Sequence, residues 1–212
     1  MTRWGLLADI HGNLLALERA LAAFRAANVE KIAVLGDNLG RGDSDGCVAL
    51  IRELADVSVL GNRDLDWQHR VGTSSKAYVL GLPRTVERDG LLFAHGDARL
   101  TPELSSSDIR RGFTRARAAM RAADCRLWLF GHTHRARVWR ISHADPELVL
   151  LFDAAVDALP ARIELVAAPA SNARWIVNVG SAGLPFPGKG PASAAVLHHE
   201  AGGGGWVEFF PL

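Results

Sequence analysis

The chain has 212 residues, a length that favours a single domain, and its 49% apolar and 22% charged residues are close to the averages of globular proteins. This composition excludes an intrinsically disordered chain. The formal net charge of +1 excludes a general polyanion-binding protein, so a nucleic-acid partner is disfavoured, although a local basic patch stays open.

The cysteines and the apolar runs bear on the compartment. The two cysteines, Cys47 and Cys125, are far apart in the chain and lack the spacing of a metal site. The run Gly5–Ala8 meets Asp9 at once and is too short for a signal peptide. No run approaches the ~20 apolar residues that a membrane-spanning helix needs. We therefore expect a soluble, cytoplasmic protein with no membrane partner.

The first part of the chain alternates between predicted strands and predicted helices. Apolar positions recur with a helical period in Asn13–Ala27 and Ser44–Ala55. Short apolar runs at Arg3–Ala8, Lys31–Leu35 and Val57–Leu60 predict strands. This alternation is typical of βαβ units and predicts a parallel sheet.

The later part of the chain favours hairpins. Thr85–Arg88 and Leu91–Ala94 flank an Asp-Gly pair that suits a tight hairpin turn. Ser105–Ala123 predicts an arginine-rich helix, for which a solvated face is favoured over a nucleic-acid contact. Parallel units followed by hairpins predict a mixed α/β (α+β) fold, in which two sheets form a core flanked by helices. The further predicted strands are Arg126–Phe130, Ala136–Ile141, Trp175–Val179, Ala194–His198 and Trp206–Phe210.

The segment Ser142–Ala173 gives no single pattern. Leu148–Phe152 and Arg162–Ala167 fit strands, whereas Phe152–Leu159 also fits a helix. We interpret the segment as an insertion that forms a lid, an oligomer contact or an edge hairpin. Because its apolar runs need burial, we expect it to influence substrate choice or oligomeric state.

Five short polar clusters each follow a predicted strand. In open α/β sheets, ligands bind beyond the carboxyl ends of the strands, so we expect the clusters to converge. Glycines beside the polar residues permit tight turns and a close approach of the backbone. The clusters are Asp9-Ile10-His11-Gly12-Asn13, Gly36-Asp37-Asn38, Gly61-Asn62-Arg63-Asp64, His95-Gly96-Asp97 and Gly131-His132-Thr133-His134.

The residue types in these clusters indicate a site for divalent transition metals, because carboxylates and imidazoles are their usual protein ligands. Residues two apart in an extended backbone point the same way, so Asp9 and His11 can face one site, as can His132 and His134. One ion would leave several donors unused. Two ions ~3.5–4 Å apart that share a carboxylate would use them all.

Each cluster also has an ordinary interpretation when it is taken alone. Asp9 suits a helix cap, and His95 suits a structural histidine. Gly36-Asp37-Asn38 and Gly61-Asn62 suit turns. The chain lacks a metal site only if every one of these ordinary interpretations is correct. The occurrence of all five clusters at strand ends argues against such a coincidence.

In their order, the clusters resemble the motifs of the calcineurin-like metallophosphoesterases, which read D-x-H-G-N, G-D, G-N-x-D, H-G and G-H-x-H. The stretch Gly180–Pro185, with the sequence G-S-A-G-L-P, resembles the small bacterial phosphodiesterase branch of that family. The resemblance covers about residues 1–141 and 174–210. It implies a four-layer αββα sandwich with two central mixed sheets, formed by one domain over residues 1–212 with the insertion at 142–173.

The resemblance also implies a reaction and a ligand set. The reaction would be hydrolysis of a small phosphoester, a phosphodiester more than a monoester, by a hydroxide that bridges two divalent ions. The ions would be manganese, iron, zinc or nickel. Besides Arg63, the catalytic residues would be Asp37 and Asn62. The implied ligands are Asp9, His11 and His134 for one ion, Asn62, His95 and His132 for the second, and Asp37 as the bridge.

Arg63 departs from the pattern of the family, because many members carry a histidine there that can protonate the leaving group. A guanidinium stays charged at any usable pH and cannot serve as that acid. We therefore expect Arg63 to clamp a phosphate, and the enzyme to prefer esters with good leaving groups. The alternative is a structural Arg63 that pairs with Asp64 or Asp66.

Arg41 supports an alternative activity. Gly40-Arg41-Gly42 follows Gly36-Asp37 and resembles the G-D-x-x-x-R-G of protein phosphatases, in which the arginine binds phosphate. Protein phosphatase or dinucleotide polyphosphate hydrolase is thus the alternative enzyme, and Arg41 is otherwise a surface residue. The alternative outside enzymes is a catalytically weak interaction module that a metal stabilises. The residues expected to support or line the site, or else to act in caps and turns, are Asn13, Asp64 and Ser181.

Overall fold

The computed structural model of this chain describes residues 1–141, 148–165, 173–200 and 204–212. Its strands are β1 (Thr2–Leu7), β2 (Lys31–Val34), β3 (Val57–Ser58), β4 (Thr85–Arg88), β5 (Leu91–Ala94), β6 (Leu127–Phe130), β7 (Arg137–Ile141), β8 (Leu148–Asp153), β9 (Ala161–Glu164), β10 (Arg174–Asn178), β11 (Ser193–His199) and β12 (Gly205–Pro211). Its helices are α1 (Leu14–Ala26), α2 (Ser44–Leu54), α3 (Asn62–Trp67), α4 (Thr73–Leu80) and α5 (Thr114–Ala122), with 3₁₀ turns at Gln68–Arg70 and Ser106–Arg111. None of these helices is long and apolar enough to cross a membrane.

The strands form two mixed sheets of six strands each. The first sheet has the order β3-β2-β1-β11-β12-β9, and the second has the order β4-β5-β6-β10-β7-β8. Parallel pairing joins β1 to β2, β2 to β3, β5 to β6 and β6 to β10, while the other neighbours are antiparallel. The predicted parallel start and the predicted hairpins are both confirmed.

Alternation along the strands builds three apolar layers. In β5, Leu91 and Phe93 face a core between the two sheets, whereas Leu92 faces the opposite side. The outer face of the first sheet packs against α1 and α2, and the outer face of the second packs against α5. The order of layers is therefore helix, sheet, sheet, helix, and the predicted αββα sandwich is confirmed.

The prediction of one continuous helix over Ser105–Ala123 is wrong, because Gly112 and Phe113 interrupt it. A 3₁₀ turn comes first, and α5 begins only after Gly112 and Phe113, whose φ angles are 61° and 53°. Phe113 is fully buried, with its ring edge-on to those of Trp128 and Trp139 at centroid distances of 5.7 and 5.3 Å. Burial of this ring outweighs continuation of the helix, because an aromatic side chain gains ~1.5–3 kcal/mol on burial.

Two short helices, α3 and α4, have no counterpart among the predicted elements. The six residues of α3 are too few to establish a helical period. In α4 only Ser75 and Val79 are buried, so its sequence carries a weak apolar stripe. Both helices lie in the chain after β3, where α4 packs against α2 and α3 packs against α4, so that contacts between segments decide the structure.

The described part of the segment 142–173 extends both sheets at one side. β8 pairs antiparallel with β7, and β9 pairs antiparallel with β12. The chain between them begins with turns, not with the helix considered for Phe152–Leu159. Residues 142–147 and 166–172 lie outside the described residues, and so does the end of the strand expected over Arg162–Ala167.

Asp153, at the end of β8, joins this segment to the polypeptide that follows β6. Its carboxylate accepts two hydrogen bonds from the Arg135 guanidinium and one from Arg137 at 2.8 Å. These interactions lower the pKa of Asp153 against the effect of burial, which acts to raise it. The segment is thus anchored next to the last of the five polar clusters.

Candidate metal centre

The carboxyl ends of β1 and β2 in the first sheet meet those of β5 and β6 in the second, and we call this place the seam. The backbones are in close contact there, because a Cβ atom added at Gly131 would lie 2.4 Å from the Cβ of Ala8. The N–H of His132 donates to Asp9 Oδ2 at 2.8 Å and links the two sheets directly. The predicted ligands that follow these strands or begin α3 are Asp9, His11, Asp37, Asn62, His95, His132 and His134.

The first group of donors consists of Asp9, His11, Asp37 and His134, with one ligand atom of each within 4.8 Å of the others. His11 Nε2 is 3.2 Å from His134 Nε2 and 3.9 Å from Asp9 Oδ1. Three of the four residues are buried and His11 is half-buried. These are the residues that the sequence predicts around one ion, together with the predicted bridge.

The second group consists of Asn62, His95 and His132. Asn62 Oδ1 lies 3.0 Å from His95 Nε2 and 3.0 Å from His132 Nδ1, so the three donor atoms converge. The other ring nitrogen of His132 is 3.7 Å from Asp97 Oδ2. The structure therefore brings together the three residues that were predicted around a second ion.

Asp37 stands between the two groups. Its Oδ1 accepts the N–H of Arg63 at 2.7 Å, which fixes the carboxylate. Its Oδ2 is 3.8 Å from His11 Nε2 in the first group and 3.4 Å from His95 Nε2 in the second. One oxygen atom thus faces both sets of donors.

Two of the histidines are held in the tautomer that suits a metal ligand. His95 Nδ1 is 2.8 Å from the carbonyl oxygen of Leu35, and His134 Nδ1 is 2.5 Å from that of Leu184. A carbonyl oxygen only accepts, so each Nδ1 carries the hydrogen and donates it. In the neutral ring, Nε2 then keeps its lone pair, and it is Nε2 that faces the carboxylates.

A cation at this place fits the residues present. Asp9 Oδ1 is buried and makes no hydrogen bond within the described structure. A buried carboxylate oxygen without a partner is unfavourable by several kcal/mol, and this one faces His134 Nε2 at 3.3 Å. Oxygen and imidazole donors without thiolate match divalent transition metals.

The carboxylates and imidazoles inside the seam shift one another's pKa values. Burial acts to lower the pKa of His95, but the Asp37 carboxylate outweighs it and raises the pKa of His95 to about 10. Asp9 likewise raises the pKa of His134 against burial, whereas burial dominates for His11 and lowers its pKa. Asp37 and Asp9 therefore favour the protonated forms of His95 and His134, and a metal ion held by these rings would compete with those protons.

Several predicted ligands share an uncommon backbone conformation. A non-glycine residue in the left-handed region raises the free energy of the folded state by about 1–3 kcal/mol, and it persists only where the surrounding structure enforces it. Such residues cluster at functional sites. The φ angles are 53° for Asp9, 53° for His11, 57° for Asp37, 64° for His132 and 56° for His134.

The residues expected to support or line the site make hydrogen bonds close to the predicted ligands. Asp64 is fully buried and accepts four N–H donors, from the backbones of Asn38, Leu39 and Gly61 and from the Asn38 side chain. Ser181 Oγ donates to the carbonyl of Asp9 at 2.9 Å.

Asn13 combines the two roles considered for it. Its Oδ1 caps α1 by accepting the N–H of Ala16, and its Nδ2 donates to the carbonyl of Gly183.

The two arginines lie at the opening of the site. Arg63 is exposed, with Nη1 3.2 Å from Asp66 Oδ2, which agrees with one of the two structural pairings considered. Arg41 is also exposed. Both line a cavity of about 1110 Å³ whose floor includes His11, Asp37 and Asn62. Both arginine side chains therefore lie where they can meet a ligand in the cavity.

Some residues around the site escaped the sequence reasoning. Asn178 is fully buried and donates to the Gly131 carbonyl at 2.6 Å, and a polar residue inside an apolar strand was the available signal. Trp67, Phe186 and Lys189 line the cavity, and no local pattern in the sequence distinguishes them.

Comparisons with known proteins give a family match, related sequences and a similar fold. Residues 2–202 match the sequence model of the calcineurin-like phosphoesterase superfamily domain. A UDP-2,3-diacylglucosamine hydrolase of Ralstonia nicotianae is 30% identical over an alignment 220 positions long, gaps included, which covers 95% of this chain and 79% of that protein. An uncharacterized protein of Methanocaldococcus jannaschii is 33% identical over 97 residues, which span 42% of this chain and 39% of that protein. Among solved structures, a metallophosphoesterase from Sphaerobacter thermophilus superposes with a TM-score of 0.75 at 24% identity, over 100% of this chain and 88% of that one, a likeness in fold.

Proposed function

Because this chain belongs to the calcineurin-like phosphoesterase superfamily, we propose that it is a two-metal hydrolase of small phosphoesters that prefers phosphodiesters to monoesters. One observation carries the proposal. Asp37 Oδ2 faces His95 Nε2 at 3.4 Å and His11 Nε2 at 3.8 Å, in the position of a carboxylate shared between two sets of donors. The Ralstonia relative is named as the hydrolase of a compound that contains a uridine diphosphate group, and this supports a reaction at phosphorus.

In this proposal the residues divide into two ligand sets. Two divalent ions, when bound, would supply an acidified water near neutral pH and offset the charge of phosphate oxygens. Manganese is the first ion to test. The ligands would be Asp9, His11 and His134 on one side, Asn62, His95 and His132 on the other, and Asp37 between them.

The chain itself positions these groups. The N–H of Arg63 holds Asp37 Oδ1, so that Oδ2 stays directed at the histidines. The carbonyl groups of Leu35 and Leu184 hold the Nε2 lone pairs of His95 and His134 toward the carboxylates. These contacts fix the donors before a substrate arrives, which lowers the cost of organising the site.

Three cationic side chains line the same cavity and suit an anionic substrate. Arg41, Arg63 and Lys189 are distributed over three segments of its wall. A guanidinium can donate two parallel hydrogen bonds to a phosphate, but it does not release a proton at usable pH. The proposal therefore includes a preference for esters whose leaving groups need no protonation, such as aryl esters.

The test measures bound metal and hydrolysis in the same preparation. The wild-type chain, loaded with manganese, iron, zinc or nickel, is assayed on bis(4-nitrophenyl) phosphate and on 4-nitrophenyl phosphate. We expect about two ions per chain and faster turnover of the diester. Asp37→Asn should reduce metal affinity and turnover at least about 100-fold, since even changes behind a ligand cost 10–100-fold. Asp89→Asn, an exposed carboxylate away from the cavity, is the matched control.

The outcomes separate the alternatives. Turnover of the monoester alone would favour the protein phosphatase interpretation. Absence of turnover with every metal, in a folded and metal-loaded chain, would refute the hydrolase and favour an interaction module. Arg63→His restores a residue that can act as an acid, so it should raise hydrolysis of alkyl esters relative to aryl esters. An unchanged ratio would contradict the role assigned to Arg63.

A further inference from the structure

Residues 181–189 lie within the connection between β10 and β11 and contact the metal centre; we call them the 181–189 loop. The N–H of Gly183 donates to the carbonyl of Asp9 at 3.1 Å, which Ser181 Oγ also contacts. The carbonyl of Leu184 accepts the Nδ1 hydrogen of His134. Two predicted ligands of one ion are thus in direct contact with the loop.

The loop has little freedom to move at its start. A Cβ atom at Gly183 would lie 1.7 Å from the carbonyl oxygen of Ile10, so this backbone is pressed against the segment that carries Asp9 and His11. The Asn13 amide also donates to the Gly183 carbonyl. The side chains that follow are therefore carried at a fixed place relative to the ligands.

Two large apolar side chains of the loop remain exposed beside the site. Leu184 is 41% exposed and Phe186 is 46% exposed, and both line the cavity above the metal donors. The Phe186 ring centroid is 4.6 Å from that of His134, with an angle of 43° between the planes. Trp67 contributes an aromatic side chain to the same cavity.

The geometry points to a subsite in which Phe186 and Leu184 receive a planar aromatic group of the phosphoester substrate. The inference rests on the proposed function for the place of the phosphate, at the donors of the cavity floor. Because Phe186 contacts His134, a ring attached to a phosphate there is within reach of the exposed phenyl side chain. Aromatic pairs in offset or tilted contact attract each other beyond the burial of their area, which favours a planar ring over an alkyl chain.

The test uses phosphonates, because their phosphorus–carbon bond is not an ester. Binding of phenylphosphonate, methylphosphonate and hexylphosphonate to the manganese-loaded chain is measured by calorimetry. We expect the phenyl compound to bind about tenfold more tightly than the methyl compound, which corresponds to ~1.4 kcal/mol. Phe186→Ala should reduce this ratio to about threefold or less, whereas Phe186→Tyr should preserve it.

Leu15→Ala is the control variant, because Leu15 is 57% exposed and does not line the cavity. A phenyl preference that survives Phe186→Ala would overturn the subsite. Equal affinities for the hexyl and phenyl compounds would overturn the assignment of an aromatic group. Hydrolysis of bis(4-nitrophenyl) phosphate, followed in parallel, separates the two hypotheses. If the phenyl preference depends on Phe186 but no hydrolysis is seen, the proposed function is refuted and the subsite stands. If hydrolysis is seen without that preference, the subsite is refuted and the proposed function stands. If neither is seen, both are refuted.

Discussion

Gly61→Ala is predicted to displace the residue that both donor groups share. Gly61 has φ −100° and ψ 164°, a conformation that alanine adopts freely, so the backbone itself tolerates the change. The added Cβ, however, would lie 2.0 Å from the backbone nitrogen of Asp37 and 2.2 Å from its Oδ1, whereas ordinary Cβ contacts begin at 3.4 Å. Asp37 must therefore retreat by roughly 1 Å or more.

A displacement of the Asp37 carboxylate by this distance should lower both the rate of hydrolysis and the stability of the fold. Misplacement by about 1 Å costs about 100-fold in rate, or ~2.7 kcal/mol, and overpacking of a dense site costs ~1–3 kcal/mol of stability. The assays are diester hydrolysis with manganese, metal content by mass spectrometry and thermal unfolding.

Gly81→Ala is the matched control, because Gly81 has φ −83° and its added Cβ would be 3.3 Å from the nearest atom, the carbonyl oxygen of Ala77. A Gly61→Ala chain with wild-type turnover and metal content would refute the claim that the contact with Gly61 fixes Asp37.

Three further results are expected. Asp153→Asn should lower stability by about 1–3 kcal/mol at neutral pH, since the carboxylate pairs with Arg135 and Arg137. Because these arginines lower the pKa of Asp153, its contribution is complete above about pH 4 and is lost as the pH falls through the folded-state pKa. The difference from wild type in urea unfolding should therefore shrink in acid, and a constant difference would contradict the ion pair. Asn178→Ala should lower stability by about 1–3 kcal/mol in the same assay, because it leaves the buried Gly131 carbonyl without its donor, and a loss below about 0.5 kcal/mol would contradict this. Removal of metal by a chelator should lower Tm, and readdition of manganese should restore it; an unchanged Tm would argue against ions in the seam.

The sequence reasoning was most successful where the physics is local and repeated. The apolar runs before Asp9 and Asp37 predict parallel strands, and the carboxyl ends of such strands meet at one edge. Convergence of the polar clusters follows from that rule, and the structure places their donor atoms within a few ångströms. The Asp-Gly turn likewise predicts the hairpin of β4 and β5 with its bounds.

The rest depends on contacts between distant parts of the chain. The break before α5 arises because Phe113 is buried among Trp128 and Trp139, which helical periodicity in one segment does not reveal. Phe186 reaches His134 only because the 181–189 loop docks on the segment after β1. The left-handed conformations of the predicted ligands also result from their surroundings, since side chains other than glycine rarely adopt them unaided.

The position of the donors across the seam has a consequence for the order of folding. Asp9 and Asp37 follow strands of the first sheet, whereas His95 and His134 follow strands of the second, so the donors come together only when the two sheets dock. An ion held by such a set stabilises contacts that form late, and late contacts affect the rate of unfolding far more than the rate of folding. Metal loading would thus act chiefly on the lifetime of the native protein, in its resistance to irreversible inactivation and to proteases that need an opened chain.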